Sequence, residues 1–330
     1  MEKLFLYSIS ILMIVSSCED KNQINLETKL INLLDSDDIS GIDGFDTNGD
    51  AELDFETGLE TQGNYRVLSD TLFYEEGYKI RFGRRITNSN RTVEFEIGSD
   101  TAIGTVTYNI NGVLNVKAFD TTDNVQIDSM SFSKEFSTNF TRKVRFVQID
   151  NSNDPDGDNW EINAFTPLVG GSGDKVTISS ISIYELTDAM EAGALLHQFN
   201  ADGIESLFIN RDSLPVFTAY LPYLIEVSVN NTGPELSIDT TNVGEWVFKN
   251  YGRRFNMRGR KHLNDKGAIL DSIANDNIHT GGWRAHGPGF GLQQRGFRSF
   301  FETVDLATIF VEDGGYNTSI WSIPYKTQRP

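Results

Sequence analysis

Between Tyr65 and Leu186 the chain alternates apolar and polar residues in short runs, the pattern of strands with one buried face. Tyr78–Ile86, Arg91–Ile97 and Ala102–Ile110 alternate in this way or run β-branched, as do Lys143–Ile149, Trp160–Phe165 and Lys175–Tyr184. Asn111-Gly112 sits between two such runs and predicts a tight hairpin turn. VRFVQID and NWEINAF read as a longer hairpin whose tip is the acidic stretch 150–159. One segment has a different period. In INLETKLINLL, residues 25–35, Leu26, Leu30, Leu33 and Leu34 share a helical face, which predicts an amphipathic helix packed on the sheet that follows. Residues 187–213, with Met190, Leu195, Leu196 and Phe199, read as a helical or irregular connector. A composition shift at Ser213-Leu214-Pro215 opens a second strand-rich unit. The expected architecture is mainly β: an α+β, mostly antiparallel first domain over 26–186 and a β-sandwich over 214–330.

Composition narrows the function classes. Apolar content is ordinary for a globular chain, so a sizeable core is available. The single cysteine, Cys18, allows no internal disulfide. The formal charge of −19 is uneven: residues 1–214 hold 16 Lys+Arg against 36 Asp+Glu, and residues 215–330 hold 12 against 11. An acidic balance of this size argues against nucleic acid, which needs a basic footprint. It favours solubility.

The first seventeen residues, MEKLFLYSISILMIVSS, set Lys3 before an apolar run from Leu4 to Val15 and end in two serines. That is the form of an export signal, and the run is shorter than a membrane span. Val15-Ser16-Ser17-Cys18 resembles the lipobox of bacterial lipoproteins. The resemblance implies cleavage before Cys18 and lipid of the palmitate kind on its sulfur. Residues 18–25 then form a tether, and Glu19-Asp20 resembles the surface-export signal of Bacteroidetes lipoproteins. The implied location is the outer membrane facing the exterior, with its periplasmic face as the alternative. Asp-Ser/Thr tripeptides such as Asp70-Thr71-Leu72 and Asp212-Ser213-Leu214 resemble the O-glycosylation sequon of the same phylum, and equally suit turns and caps.

Two acidic stretches carry calcium-like spacing. Asp46, Asn48, Asp50, Glu52 and Asp54 place side-chain oxygens at alternate positions, as a hard cation needs. Ala51 and Thr57 stand where a calcium loop of the helix–loop–helix type has glycine and a bidentate Glu. Asp154, Asp156 and Asp158 alternate likewise at the hairpin tip. Solvated turns account for both stretches as well.

Residues 220–236, YLPYLIEVSVNNTGPEL, followed by HLNDKGAILDSIANDNIHTGGW, are similar to the D-D-G-x-x-G-D-x-x-A-G-D-G-x-Y-T pattern of bacterial exported immunoglobulin-like domains. Asp265, Gly267, Asp271, Ala274, Asp276 and Thr280 match; Lys266, Leu270, Asn275, Asn277 and His279 depart. The resemblance implies an immunoglobulin-like sandwich over 214–330. Asx turns explain its aspartates, and a metal at Asp265, Asp271 and Asp276 is the alternative. The SDTAIGTVTYNINGVL hairpin and the RKVRFVQID and NWEINAF pair loosely resemble the nuclear transport factor 2-like cone, which implies a helix-capped curved sheet over 26–186; a second β-sandwich is the alternative there.

Trp283, Arg284, Arg295 and Arg298 lie within or beside the glycine-rich GGWRAHGPGFGLQQRGFR. Arginine forks and flat rings supply most binding hot spots, so these four are the candidate partner-binding residues. Alternatively the arginines pair with the acidic first domain. His197, His262, His279 and His286 show no metal-ligand spacing, and there is neither a Gly-x-Ser-x-Gly elbow nor a phosphate loop. The leading expectation is a surface lipoprotein with a binding, adhesion or scaffolding role toward a glycan or surface protein. A hydrolytic enzyme with a pocket in the first domain is the alternative.

Overall fold

The structure is a computed structural model describing residues 21–42, 78–120, 127–149, 159–238, 241–251, 259–312 and 314–330. It is mainly β, with largely antiparallel sheets. The predicted helix is α1 (Lys21–Ser36). Leu30 and Leu34 are buried, and Leu26 and Leu33 pack beside them, so the leucine stripe sets the face the helix presents. Asp37 Oδ1 accepts the amides of Ile39 and Ser40, both at 2.8 Å, and turns the chain out of the helix. No helix among the described residues is long and apolar enough to cross a membrane.

Three long strands follow: β1 (Tyr78–Ile97), β2 (Thr101–Asp120) and β3 (Ile127–Ile149). The expected runs at 78–86 and 91–97 merge into one strand. Asn111-Gly112 makes no turn; it lies inside β2, and the reversal falls at Gly98-Ser99-Asp100 instead. The reason is the unbroken alternation through it, with Tyr108, Ile110, Leu114 and Val116 all on the buried face. Gly112 joins that face because a Cβ there would stand 2.7 Å from the Phe136 ring and 2.5 Å from the Arg85 carbonyl. A strand glycine often marks such a close approach. Gly112→Ala is therefore expected to cost about 1–3 kcal/mol through overpacking, read as a lower urea midpoint. An unchanged midpoint would place Phe136 elsewhere.

The chain continues through β4 (Asn159–Phe165), β5 (Leu168–Ser172), β6 (Val176–Leu186) and β7 (Ala192–Asn200). Residues 187–213 thus contain a strand, β7, where a helical or irregular connector was expected. Its pairing with β6 overrides the weak helical spacing of its leucines. Next come β8 (Ile209–Asn210), β9 (Val216–Thr218), β10 (Pro222–Asn231), β11 (Leu236–Ile238), β12 (Thr241–Val243) and β13 (Glu245–Tyr251). The last are β14 (Gly259–Leu263), β15 (Ile278–Arg284), β16 (Gln294–Asp305), a single helical turn α2 (Ala307–Phe310), and β17 (Thr318–Gln328).

One sheet runs β1-β2-β3-β5-β17-β16-β13-β14, so segments 26–186 and 214–330 share it. It rolls on itself. Phe82 of β1 stacks on Trp246 of β13 at 5.8 Å although five strands separate them in the sheet order. The enclosed core gathers Leu30 and Leu34 of α1 with Phe140, Phe146, Phe248, Phe300 and Ile320. A smaller sheet, β15-β10-β6-β7, packs on the outer face of the half formed by β5, β17, β16, β13 and β14. Between them lies a second core with Ile181, Val227, Trp283, Phe301, Trp321 and Tyr325. Strands β16 and β17 serve both cores, Phe300 facing one and Phe301 the other. Burial on both faces is why their sequences show no clean alternation.

Candidate binding surfaces

Of the residues singled out from sequence, Cys18, the set Asp46, Asn48, Asp50, Glu52 and Asp54, and the set Asp154, Asp156 and Asp158 lie outside the described residues. The arginine–aromatic set is described. Trp283 is buried in the second core, its ring edge-on to Phe217 at 4.7 Å and to Tyr325 at 5.1 Å. Arg298 is buried too and donates through Nη1 to the Asp38 carbonyl at 2.6 Å. Arg295, half-buried, lies over the Phe297 ring and donates to Asp38 Oδ2 at 3.4 Å. Arg211 pairs with Asp37. These contacts tie the turn after α1 to strands far along the chain. Arg284 alone of the four is exposed, and its Nε donates to the Tyr220 carbonyl at 2.8 Å.

The exposed rings at this end of the sandwich come from elsewhere. Phe290 is fully exposed at the tip of the loop 285–293, between Gly289 (φ 106°) and Gly291 (φ 75°). Those left-handed positions lift the ring clear of the body, which a chain of ordinary residues would resist. Tyr220, 58 % exposed, is itself left-handed at φ 67°. It holds that conformation because its N–H donates to the Ala285 carbonyl at 2.9 Å while its own carbonyl accepts from Arg284. Its phenol lies against Gly287, where a Cβ would stand 2.0 Å from the hydroxyl. Leu221 and Leu292 are exposed beside them. Arg329 closes the loop, donating from Nη2 to the Gly289 carbonyl and from its amide to the Gln293 carbonyl, each at 3.0 Å. The result is a rim of apolar side chains edged by Arg284, Arg295 and Arg329. A lone phenylalanine among glycines, GPGFGL, was the sequence signal for it.

Under this rim lies Lys249, 3 % exposed, its Nζ 4.9 Å from the centre of the Trp283 ring. Its cross-strand neighbour is Lys261, which donates to the Gly282 carbonyl. Burial, then the charge of Lys261, pushes the Lys249 amine down to about 7. At the far end of the same core, His279 Nε2 meets Glu245 Oε1 at 3.1 Å, and Asn231 Nδ2 donates to Glu245 at 2.9 Å and to Asp305 at 3.3 Å. Burial raises Glu245, but the bonds from His279 and Asn231 outweigh it and hold the carboxyl below its ordinary value. Burial pushes Asp305 up, with Asn231 pulling the other way. This network joins the two sheets through side chains of β10, β13, β15 and β16.

Asp265, Asp271 and Asp276 do converge, one oxygen of each lying within 4.8 Å of the others. Their oxygens are engaged by the loop itself. Asp265 accepts the amides of Asp276 and Asn277, Asp271 that of Gly267, and Asp276 that of Ile278. These bonds hold the loop as Asx-type turns and account for the residue types. No protein-family model matches the chain, and neither a curated protein nor a solved structure matches it.

Proposed function

We propose that the chain is a lipid-anchored binding module, held by Cys18 on the outer face of a Bacteroidetes-type outer membrane, that engages its partner through the Tyr220–Phe290 rim. The observation carrying this reading is Phe290, a full phenyl ring set in solvent on a loop whose every turn is braced by a hydrogen bond or a glycine. Phe290 forms one rim with the exposed Tyr220, Leu221 and Leu292, contiguous apolar patches edged by polar residues mark interaction sites, and braced rings bind with little ordering cost. Arginines at its edge suit the composition of binding hot spots. The lipobox-like Val15-Ser16-Ser17-Cys18 and the acidic residues behind it support the anchor and its address. In the same reading the two-sheet packing that joins β5, β6 and β7 to the strands of 214–330 is immunoglobulin-like. The rolled sheet over α1 is cone-like. Two layers against Trp283 and a helix on a curved sheet support them.

Two outcomes are expected. Cys18→Ala should move the protein from the membrane fraction to the soluble one, since the acyl chains supply the membrane affinity; retention in the outer membrane would sink the anchor. Tyr220→Ser with Phe290→Ser should weaken retention of the purified mature chain on immobilised cell-envelope glycan and protein fractions by about thirtyfold, as loss of a hot spot does. Equal retention of variant and wild type would remove the rim from the function.

A further inference from the structure

The outer face of β1, β2 and β3 is left uncovered by the smaller sheet. Its cross-strand register sorts the side chains into ranks. Asn90, Asn109 and Asn139 stand in one rank, and Thr92, Thr107 and Thr141 in the next. Asn88, Asn111 and Ser137 form a third. These nine positions form an uncharged block of amides and hydroxyls on a chain of net charge −19. Among the described residues, the one hydrogen bond their side chains make links Thr107 and Thr141 at 3.4 Å. The ranks on either side, Glu94–Thr105–Lys143 and Arg85–Val113–Glu135, carry charges of both signs and frame the block.

Two of the ranks continue past β3. Asn139 registers with Gly171 and Gly171 with Ser319; Thr141 registers with Val169 and Val169 with Trp321. Both lines therefore cross five strands, about 19 Å at about 4.8 Å per strand. They end inside a groove of about 450 Å³, floored by Asn139, Thr141, Ser319 and Trp321 and walled by Thr177 and Glu205 where the smaller sheet begins.

We infer that this track binds an extended, neutral glycan chain, lying across the strands with one end in the groove against Trp321. Along each rank, donors and acceptors repeat at the strand spacing of about 4.8 Å, close to the length of one sugar ring. Amides and hydroxyls can both donate and accept, as hydroxyl-rich ligands require. The block itself offers no fixed charge to pair with an anion. A protein partner fits poorly, because protein interfaces concentrate their energy in aromatic and arginine side chains and under-use serine and threonine. An added peptide strand would use a sheet edge, whereas this is a face. The inference goes beyond the rim reading by naming a second site and its ligand class, and it makes no use of the rim.

Calorimetric titration of the mature chain with neutral β-1,4-linked hexasaccharides of glucose, mannose, xylose and N-acetylglucosamine tests it, with polygalacturonate as the charged control. At least one neutral chain should bind, and polygalacturonate should not. Asn109→Ala with Asn139→Ala should weaken that binding about tenfold, the effect of two lost hydrogen bonds. The urea midpoint should stay unchanged, because Asn139 is exposed and Asn109 half-exposed. Phe290→Ser should leave hexasaccharide affinity intact. Binding lost in the rim variant but kept in the Asn variant would overturn the track while preserving the rim. Failure of all four neutral chains to bind would overturn it outright, leaving a solvated face.

Discussion

Lys249→Met is expected to stabilise the protein at pH 7 by about 4 kcal/mol, the free-energy equivalent of holding an amine near pH 7 that titrates near 10.4 when unfolded. Lys249 is buried over the Trp283 ring, next to a second lysine. Burial and that neighbour lower its folded value to about 7. The unfolded chain therefore binds the extra proton throughout the interval from about 7 to the unfolded value, so wild-type stability rises with pH across that window. Below it both states are protonated and the penalty is present in full. Methionine keeps the unbranched length and removes the charge, so the variant should show no such rise. Urea midpoints of both proteins at pH 7 and pH 10 decide the matter, the difference between them cancelling every other titrating group. If the two curves run parallel, the amine is solvated or paired.

Glu302→Leu should act in the opposite direction. Glu302 is fully buried, with Oε1 2.9 Å from Arg84 Nη1 and Oε2 accepting from Arg84 Nη2 at 3.3 Å and from Asn250 at 3.1 Å. Arg84 belongs to β1 and Glu302 to β16, so the pair reaches across the interior of the rolled sheet. Removing the carboxylate takes away the buried counter-charge that Arg84 reaches and leaves its Nη1 on the Tyr316 hydroxyl at 3.3 Å, which costs about 3–5 kcal/mol. Removing both, as Arg84→Met with Glu302→Leu, should recover most of the loss, since paired buried charges add little net stability over apolar residues of similar volume. A double variant as unstable as the single one would show that Asn250 and the neighbouring groups, rather than Arg84, depend on the carboxylate.

Local pattern made the helix and most strands legible. The leucines at 26, 30, 33 and 34 had one reading, and the alternation of β2 was plain even where Asn111-Gly112 suggested a turn. That dipeptide misled because its glycine answers to Phe136 on a neighbouring strand, a contact invisible along the chain. The rim was half legible. Arginine and aromatics in a glycine-rich stretch pointed to the right segment, yet Trp283 went inward and Phe290 outward. The difference lies in φ. Trp283 sits in a strand registered with Tyr223, whereas Phe290 rides between two left-handed glycines. The Asn and Thr ranks were not legible at all. Their members are spread over 88–141 and become neighbours only through register, which a single sequence does not state.

The position of β17 has a consequence for how the protein is made. The last strand, Thr318–Gln328, occupies the middle of the large sheet, bonded to β5 on one side and β16 on the other. It supplies Ile320 to one core and Trp321, Ile323 and Tyr325 to the other. A chain emerging amino end first, from a ribosome or through a membrane pore, therefore cannot close either core until Thr318–Gln328 is free. Such distant pairing slows folding, and the waiting chain stays soft enough to be threaded. Were the chain exported as proposed above, a keystone so far downstream of β1 would keep the traveller open through most of its passage.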